Sequence, residues 1–254
     1  MRRISAYLAV LGFAVVGLSA TASAAPTVTL KAKAVPIPGF PHTGNILGAG
    51  AAVQAEYRIS GTEYGGHPAP LTGVTFYLPS GVKLHTQGFP TCAESVLEIR
   101  GPAGCPRKSK AGPVGSARGV VSFGTERVQE TVSVQPFFAA GGNLQFYVQG
   151  TSPVSIEITS KGSLTKAPAP FGPKLVAEVP LIESVPGALD ASAEYINVRV
   201  GAAYKKGKKT IYYGMMPKKC PKGGFPVKSE LSFLGGAVVP VTYKAPCPRR
   251  RARG

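Results

Sequence analysis

Alternation of apolar and polar residues with a period of two is the dominant pattern along most of the chain. Val28, Leu30, Ala32 and Ala34 alternate with Thr and Lys, and similar series recur up to the last hairpin. Such alternation predicts β-strands with one buried and one solvated face. The same pattern predicts further strands at 53–59, 74–78, 82–84, 117–123, 128–138, 143–150, 154–160, 174–182, 193–202, 209–215, 227–234 and 237–244.

The segments between these strands are rich in Gly, Pro, Ser and Lys, and they predict the connectivity. Turns are predicted at 140–143 and 234–236, and a lysine-rich hairpin tip is predicted at 205–209. Short strands joined in this way are typical of an antiparallel all-β fold. We therefore predict a β-sandwich, Ig-like or jelly-roll-like, over residues 25–247, with a β-barrel as the alternative.

Residues 165–173 are rich in Pro, Ala and Gly and predict a long connection. A crossover between two sheets is favoured, because the strands on either side are too few for two complete seven-stranded units. A division into two sub-sandwiches at this point is the alternative.

One short helix is predicted beside the first cysteine. Thr91 and Glu94 have the Thr-x-x-Glu spacing of a capping box, which predicts a helix from Cys92 to Arg100. Gly101 and Pro102 predict its end.

The amino-terminal 24 residues have the organisation of an export signal. Arg2 and Arg3 precede an apolar stretch, and Ala22-Ser23-Ala24 provides the small-x-small pattern of a cleavage site. We expect the mature protein to begin near Ala25 and to be secreted or associated with the cell envelope; retention of the signal as an anchor is the alternative. No later segment reaches the roughly 18 consecutive apolar residues of a membrane span.

The four cysteines predict two disulfide bonds, because exported proteins pass through oxidising compartments. Three pairings are possible, and proximity along the chain favours Cys92–Cys105 and Cys220–Cys247. A metal site is disfavoured, since the chain has no Cys-x-x-Cys spacing and no histidine near either pair.

Positive charge is concentrated near the carboxyl end. The formal net charge is +17, and residues 199–254 contain 14 basic residues and a single acidic one, Glu230. Interleaved Tyr and Phe side chains suit contact with an anionic polymer, such as a wall polymer, or with lipid headgroups, whereas no specific nucleic acid is expected. The alternative is a solvated surface whose lysines protect strand edges from aggregation. The candidate contact residues are Lys205, Lys206, Lys208, Lys209, Lys218, Lys219, Lys222, Arg249, Arg250 and Arg251, and residues 248–254 are predicted to be a disordered basic tail.

Residues suited to catalysis are sparse. The chain contains one aspartate, Asp190, and lacks both Gly-x-Ser-x-Gly and His-Glu-x-x-His. The three histidines, His42, His67 and His85, fall in loops or at strand ends. We therefore predict no catalytic residue, metal or cofactor. Six glutamates could supply paired-carboxylate chemistry, but most are predicted to lie on solvated strand faces: Glu56, Glu63, Glu126, Glu130, Glu157 and Glu178.

Several short motifs around the cysteines and turns are similar to those of exported actinobacterial β-proteins of unknown function. The resemblance covers most of the mature chain, supports the two proposed disulfide pairings and implies no activity. The motifs are Leu78–Gly81, Phe89–Cys92, Gly104–Pro106, Val114–Ala117, Lys219–Pro226, the strand with Leu231 and Phe233, and Pro246–Pro248.

Taken together, these patterns predict a secreted, non-catalytic β-sandwich protein of the cell envelope that contacts anionic polymers through its basic carboxyl-terminal region. A β-barrel carrier of an apolar ligand and an extracellular hydrolase are the two alternatives. A hollow interior lined by Val, Leu and Phe from opposed strands would favour the carrier.

Overall fold

β-Strands and one short α-helix make up the fold, in a computed structural model that describes residues 25–40, 46–123, 126–183 and 186–248. Short 3-10 turns lie at Gly101–Gly104, Arg107–Ser109 and Ala140–Gly142. In chain order the elements are β1 Thr27–Val35, β2 Ala52–Ser60, β3 Leu71–Pro79, β4 Lys83–Leu84, α1 Glu94–Arg100, β5 Gly115–Phe123, β6 Glu126–Phe138, β7 Leu144–Gly150, β8 Ile156–Lys166, β9 Phe171–Glu178, β10 Ser192–Val200, β11 Ala203–Lys206, β12 Lys209–Tyr212, β13 Gly214–Met215, β14 Phe225–Phe233 and β15 Val238–Ala245.

Eleven of the described strands form one antiparallel sheet. Its strand order is β1-β2-β10-β5-β6-β7-β8-β9-β3-β14-β15, and the edge strands β1 and β15 lie against each other. The sheet is therefore nearly closed, as a barrel is. The prediction of an antiparallel all-β fold with one short helix near the first disulfide is confirmed.

The two ends of this barrel differ in their connections. Three long connections, 36–51, 80–114 and 201–224, lie at the end where β3, β6 and β15 finish, and the last two contain α1, the β11–β12 hairpin and the short β4–β13 pair. We call this the closed end. The opposite end, where β2, β5 and β9 finish, has mostly short connections and one longer segment, 179–191; we call it the mouth.

One side of the interior is packed solid. Side chains of β1, β2, β3, β14 and β15 meet there in the main apolar cluster, which includes Leu30, Phe76 and Leu231. Tyr57 on β2 donates a hydrogen bond across the interior to Ser229 on β14 at 3.0 Å, because the single Ser229 proton goes to the Thr75 carbonyl at 2.8 Å. This side resembles two facing layers of a sandwich. The burial of the Tyr57 hydroxyl there raises the pKa of Tyr57.

The helix begins later than the capping-box spacing predicts. Ala93 is the N-cap residue and α1 starts at Glu94, and no side chain caps its amino-terminal end. The amides of Val96 and Leu97 bond the Ala93 carbonyl instead, at 3.1 and 3.2 Å. The predicted Thr91 cap is therefore wrong, because the N-cap residue is the extended Ala93 and the Cys92 amide bonds the Phe138 carbonyl at 2.9 Å. The predicted end is confirmed: Gly101, with φ of 60°, caps the carboxyl-terminal end.

Both favoured disulfide pairings are confirmed. Cys92–Cys105 spans a Cα–Cα distance of 5.4 Å and Cys220–Cys247 one of 5.9 Å. Both bonds lie at the closed end. Disulfide bonds of this kind indicate an oxidising, extracellular environment.

Residues 165–173, predicted to be a crossover, form the hairpin between the neighbouring strands β8 and β9. The amide of Ala167 bonds the Gly172 carbonyl at 2.7 Å, and the turn lies between them. Both strands belong to the same sheet, because the Pro- and Gly-rich segment turns back on itself rather than crossing the interior. The predicted signal, residues 1–24, and residues 249–254 of the predicted tail lie outside the described residues.

Candidate functional site

The side of the barrel opposite the solid core is hollow. A cavity of about 280 Å³ lies among strands β2, β3 and β5 to β10. This volume is near the lower end of the range for small-molecule sites and exceeds that of an engineered cavity of about 150 Å³ that binds benzene. Its apolar lining includes Val53, Ala55, Val74, Phe76, Ala117, Val121, Val132, Val134, Phe146, Val148, Ile156, Ile158, Leu175, Ala177, Ile196 and Val198.

Small residues at inward-facing positions account for the hollow. Ala55 on β2, Ala117 and Gly119 on β5, and Ala177 on β9 line the cavity from three different strands. Leu and Phe side chains at the equivalent positions of β14 fill the solid side instead. Because interiors are otherwise close-packed, a wall of small residues leaves volume for another molecule.

An aromatic cluster forms the floor of the cavity at the closed end. The tilted rings of Phe89 and Phe138 pack with centroids 4.7 Å apart, and the Tyr213 centroid lies 4.8 Å from that of Phe138. Tyr204 on β11 packs edge-on against Phe89 at 5.0 Å. Phe138 is the last residue of β6, Phe89 lies in the 80–114 connection and both tyrosines lie in the 201–224 connection, so the floor depends on how the closed end is assembled.

The cavity reaches solvent at the mouth. Leu181 lines the cavity and is also 45% exposed, and Leu189 in the same segment is 40% exposed. The amide of Ala191 bonds the Ile182 carbonyl at 2.9 Å and closes the base of this segment. Exposed leucines beside an apolar opening provide a path by which an apolar ligand can enter.

Arg127 holds the mouth segment in place. Its Nη1 donates to the carbonyls of Leu189 and Asp190 at 3.2 and 2.9 Å, and its Nη2 donates to Ser192 Oγ at 3.0 Å. The guanidinium also lies over the Tyr64 ring, 5.9 Å from its centroid. Arg127 therefore positions the rim of the cavity.

Two polar side chains in the lining have unsatisfied atoms. Within the described residues, neither Glu130 Oε1 nor the Tyr213 hydroxyl has a hydrogen-bond partner. Burial raises the pKa of Tyr213, which keeps its hydroxyl neutral and able to donate. Glu130 is also the only carboxylate found in the lining among the residues that the structure describes.

The burial of Glu130 contradicts its assignment to a solvated strand face, since the residue is only 2% exposed. A signal for this was present in the sequence, because Val128, Glu130, Val132 and Val134 occupy the same alternating positions of β6. The residues between them, Gln129, Thr131 and Ser133, form the polar series. Parity along the strand thus places Glu130 inside, although its charge suggests the opposite.

The candidate lysines lie on exposed connections of the closed end. Lys205, Lys206, Lys208 and Lys209 form the tip of the β11–β12 hairpin, as predicted, and Lys218, Lys219 and Lys222 lie between β13 and β14. In the part of the chain that is described, none of these lysines forms an ion pair. Arg249, Arg250 and Arg251 lie outside the described residues.

A histidine and a glutamate do meet on the outer surface. His67 Nδ1 lies 3.1 Å from Glu194 Oε1, and Gln129 donates to Glu194 Oε2 at 3.1 Å. None of the side-chain hydrogen bonds described for this pair involves a serine or cysteine.

Among the described residues, no group of three His, Cys, Asp or Glu side chains is arranged to hold a metal ion. The helices of the described ranges are all too short or too polar to cross a membrane.

Comparison with protein families, with curated proteins and with solved structures finds no match to this chain. The functional argument therefore depends on the geometry alone.

Proposed function

We propose that this protein is a secreted, non-catalytic β-barrel carrier that binds an apolar ligand inside the barrel. The observation that supports it is the hollow interior of about 280 Å³ lined by apolar side chains of eight strands. An ordinary core of this composition would collapse or fill, because empty volume costs stability.

The arrangement of the two ends supports the same proposal. The aromatic floor and the disulfide-linked connections block one end, whereas Leu181 and Leu189 give the other an apolar rim. A ligand thus has one route in and a wall that removes its apolar surface from water, which is worth roughly 25 cal/mol per Å².

Filling the cavity should weaken ligand binding. Val148 on β7 faces the cavity, so Val148→Phe places a ring in the ligand volume. We expect the affinity for the neutral fluorescent probe N-phenyl-1-naphthylamine to fall by about tenfold or more, since overpacking by this amount costs about 1–3 kcal/mol. The measurement is a fluorescence titration of the purified protein.

Gln149→Phe is the matched control, because Gln149 is the next residue on the same strand and is exposed. This variant should bind the probe as the unsubstituted protein does. Absence of probe binding to the unsubstituted protein, or equal loss in both variants, would contradict the carrier proposal.

A second candidate function is contact with an anionic surface through the closed end. Seven exposed lysines without described ion pairs gather there, and a cationic surface of this kind suits wall polymers or anionic lipid headgroups. Because the mouth lies at the opposite end, such contact would leave it open to ligand.

Charge reversal in the hairpin tests this second function. The double variant Lys205→Glu/Lys206→Glu should bind phosphatidylglycerol vesicles and wall preparations about tenfold more weakly or worse, because each basic residue near an anionic surface is worth about 1 kcal/mol. Binding is measured by co-sedimentation at rising salt, which should release the unsubstituted protein. Lys31→Glu/Lys33→Glu, the same charge change on exposed β1 positions, is the control. Equal loss in both double variants would argue against a specific basic contact surface.

The proposed location follows from the amino-terminal segment. Arg2, Arg3 and the apolar stretch up to Leu18 would direct export, and cleavage after Ala24 would release the protein to the outside or to the envelope. Two disulfide bonds agree with that route.

A further inference from the structure

Glu130 is a polar residue in an otherwise apolar part of the cavity wall, and its hydrogen bonding is incomplete. Oε2 accepts a hydrogen bond from the Val154 amide at 3.1 Å, whereas no donor among the described residues reaches Oε1. Removing a carboxyl group from water without a full set of hydrogen bonds is strongly unfavourable. Among the described residues, Oε1 of the Glu130 carboxylate therefore has no hydrogen-bond donor.

The wall around Glu130 is built to accommodate its side chain. A Cβ atom at Gly150 would lie 2.7 Å from Glu130 Oε1, so any other residue there would displace the carboxyl group. Gly119 is its direct partner in the β5–β6 register. The terminal torsion of glutamate is broad, so either oxygen can turn toward the cavity that the residue lines.

The position of Glu130 in the barrel indicates how a ligand in the cavity would be oriented. It lies near the mouth end of β6, and Val154, which bonds it, lies in the β7–β8 connection at the mouth. The apolar wall extends from there to the floor at Tyr213. A molecule that fills the cavity therefore has its apolar part deep inside and its outer part beside the carboxyl group.

We propose that the ligand is an amphiphile whose apolar body fills the cavity and whose head donates a hydrogen bond to Glu130. The head is an ammonium or a hydroxyl group, since both can satisfy the free carboxylate oxygen, whereas a carboxylate head would meet a like charge. This inference rests on the proposed carrier function and names the chemical class of its ligand.

The test measures displacement of N-phenyl-1-naphthylamine by decylamine, decan-1-ol and decanoate from the unsubstituted protein and from Glu130→Leu. We expect the substitution to weaken the binding of decylamine and decan-1-ol by about tenfold or more relative to that of decanoate, the value of one charge-assisted hydrogen bond. Glu130→Gln keeps an acceptor for the Val154 amide and has the same shape. It should lose affinity for decylamine and retain it for decan-1-ol, which distinguishes a cationic from a neutral head.

Glu178→Leu is the matched control, because it makes the same exchange at an exposed position of β9. Failure of the probe to bind the unsubstituted protein would overturn the carrier function itself. Probe binding combined with unchanged amine and alcohol affinities in Glu130→Leu would overturn this inference alone. If Glu130→Leu does not fold, unchanged decylamine affinity in Glu130→Gln would overturn it equally.

Discussion

Replacing Leu231 with alanine should lower the free energy of unfolding by about 2–5 kcal/mol, the range for a buried leucine whose surroundings cannot collapse. Leu231 is 0% exposed and lies in the middle of the solid side, paired with Val74 on β3 and Val239 on β15. Truncation leaves a void among strands that belong to both facing layers. Urea unfolding followed by far-UV circular dichroism measures the change.

Leu234→Ala provides the control, since Leu234 is on the turn at the end of the same strand and is 36% exposed. It should change the free energy of unfolding by less than about 0.5 kcal/mol. Similar destabilisation in the two variants would mean that the solid side is not the part of the barrel that supports the fold.

Removing the Cys92–Cys105 bond should cost about 3 kcal/mol from loop closure alone, and more once packing is counted. Cys92, Leu97, Phe137 and Tyr147 form a buried cluster that attaches α1 to the outside of the barrel. The double variant Cys92→Ala/Cys105→Ala therefore loses a cross-link and leaves a cavity at the same place. Its urea unfolding curve should shift to lower denaturant.

The second disulfide is the comparison, because it closes a loop about twice as long but lies near the surface. Because of loop length alone, Cys220–Cys247 should contribute only about 0.6 kcal/mol more to the free energy of unfolding than Cys92–Cys105. Replacing the buried Cys92 and Cys105 also removes two sulfur atoms from the interior and leaves a cavity, which adds to the loss of stability. We expect Cys92→Ala/Cys105→Ala to be the less stable double variant. The reverse order would show that the stabilisation by each disulfide bond is set by loop entropy and not by packing.

Local patterns in the sequence predicted much of the strand content. Alternating residues located β1, β2 and β14 to within about two residues, and the lysine-rich turn predicted the β11–β12 hairpin. Chain proximity predicted both disulfide bonds. These features depend on residues that are close in sequence, so the amino-acid sequence alone predicts them.

Features that depend on distant strands were missed. Whether the sheet encloses a solid or a hollow interior depends on residues such as Ala55, Ala117 and Ala177, which meet only after β2, β5 and β9 have come together. Alanine in a strand is compatible with either outcome. The charge of Glu130 predicts a solvated position, whereas its parity within β6 places it inside the barrel. The Thr91–Glu94 spacing predicts a cap, which the bond between the Cys92 amide and the Phe138 carbonyl overrides.

Both disulfide bonds join connections at the closed end of the barrel, and neither lies at the mouth. The mouth segment is held instead by hydrogen bonds from Arg127 and from the Ala191 amide. In the proposed carrier, the ligand would therefore enter and leave at the end of the barrel that no disulfide bond restrains. A ligand that steadies this end on binding would also raise the free energy of unfolding of the whole protein.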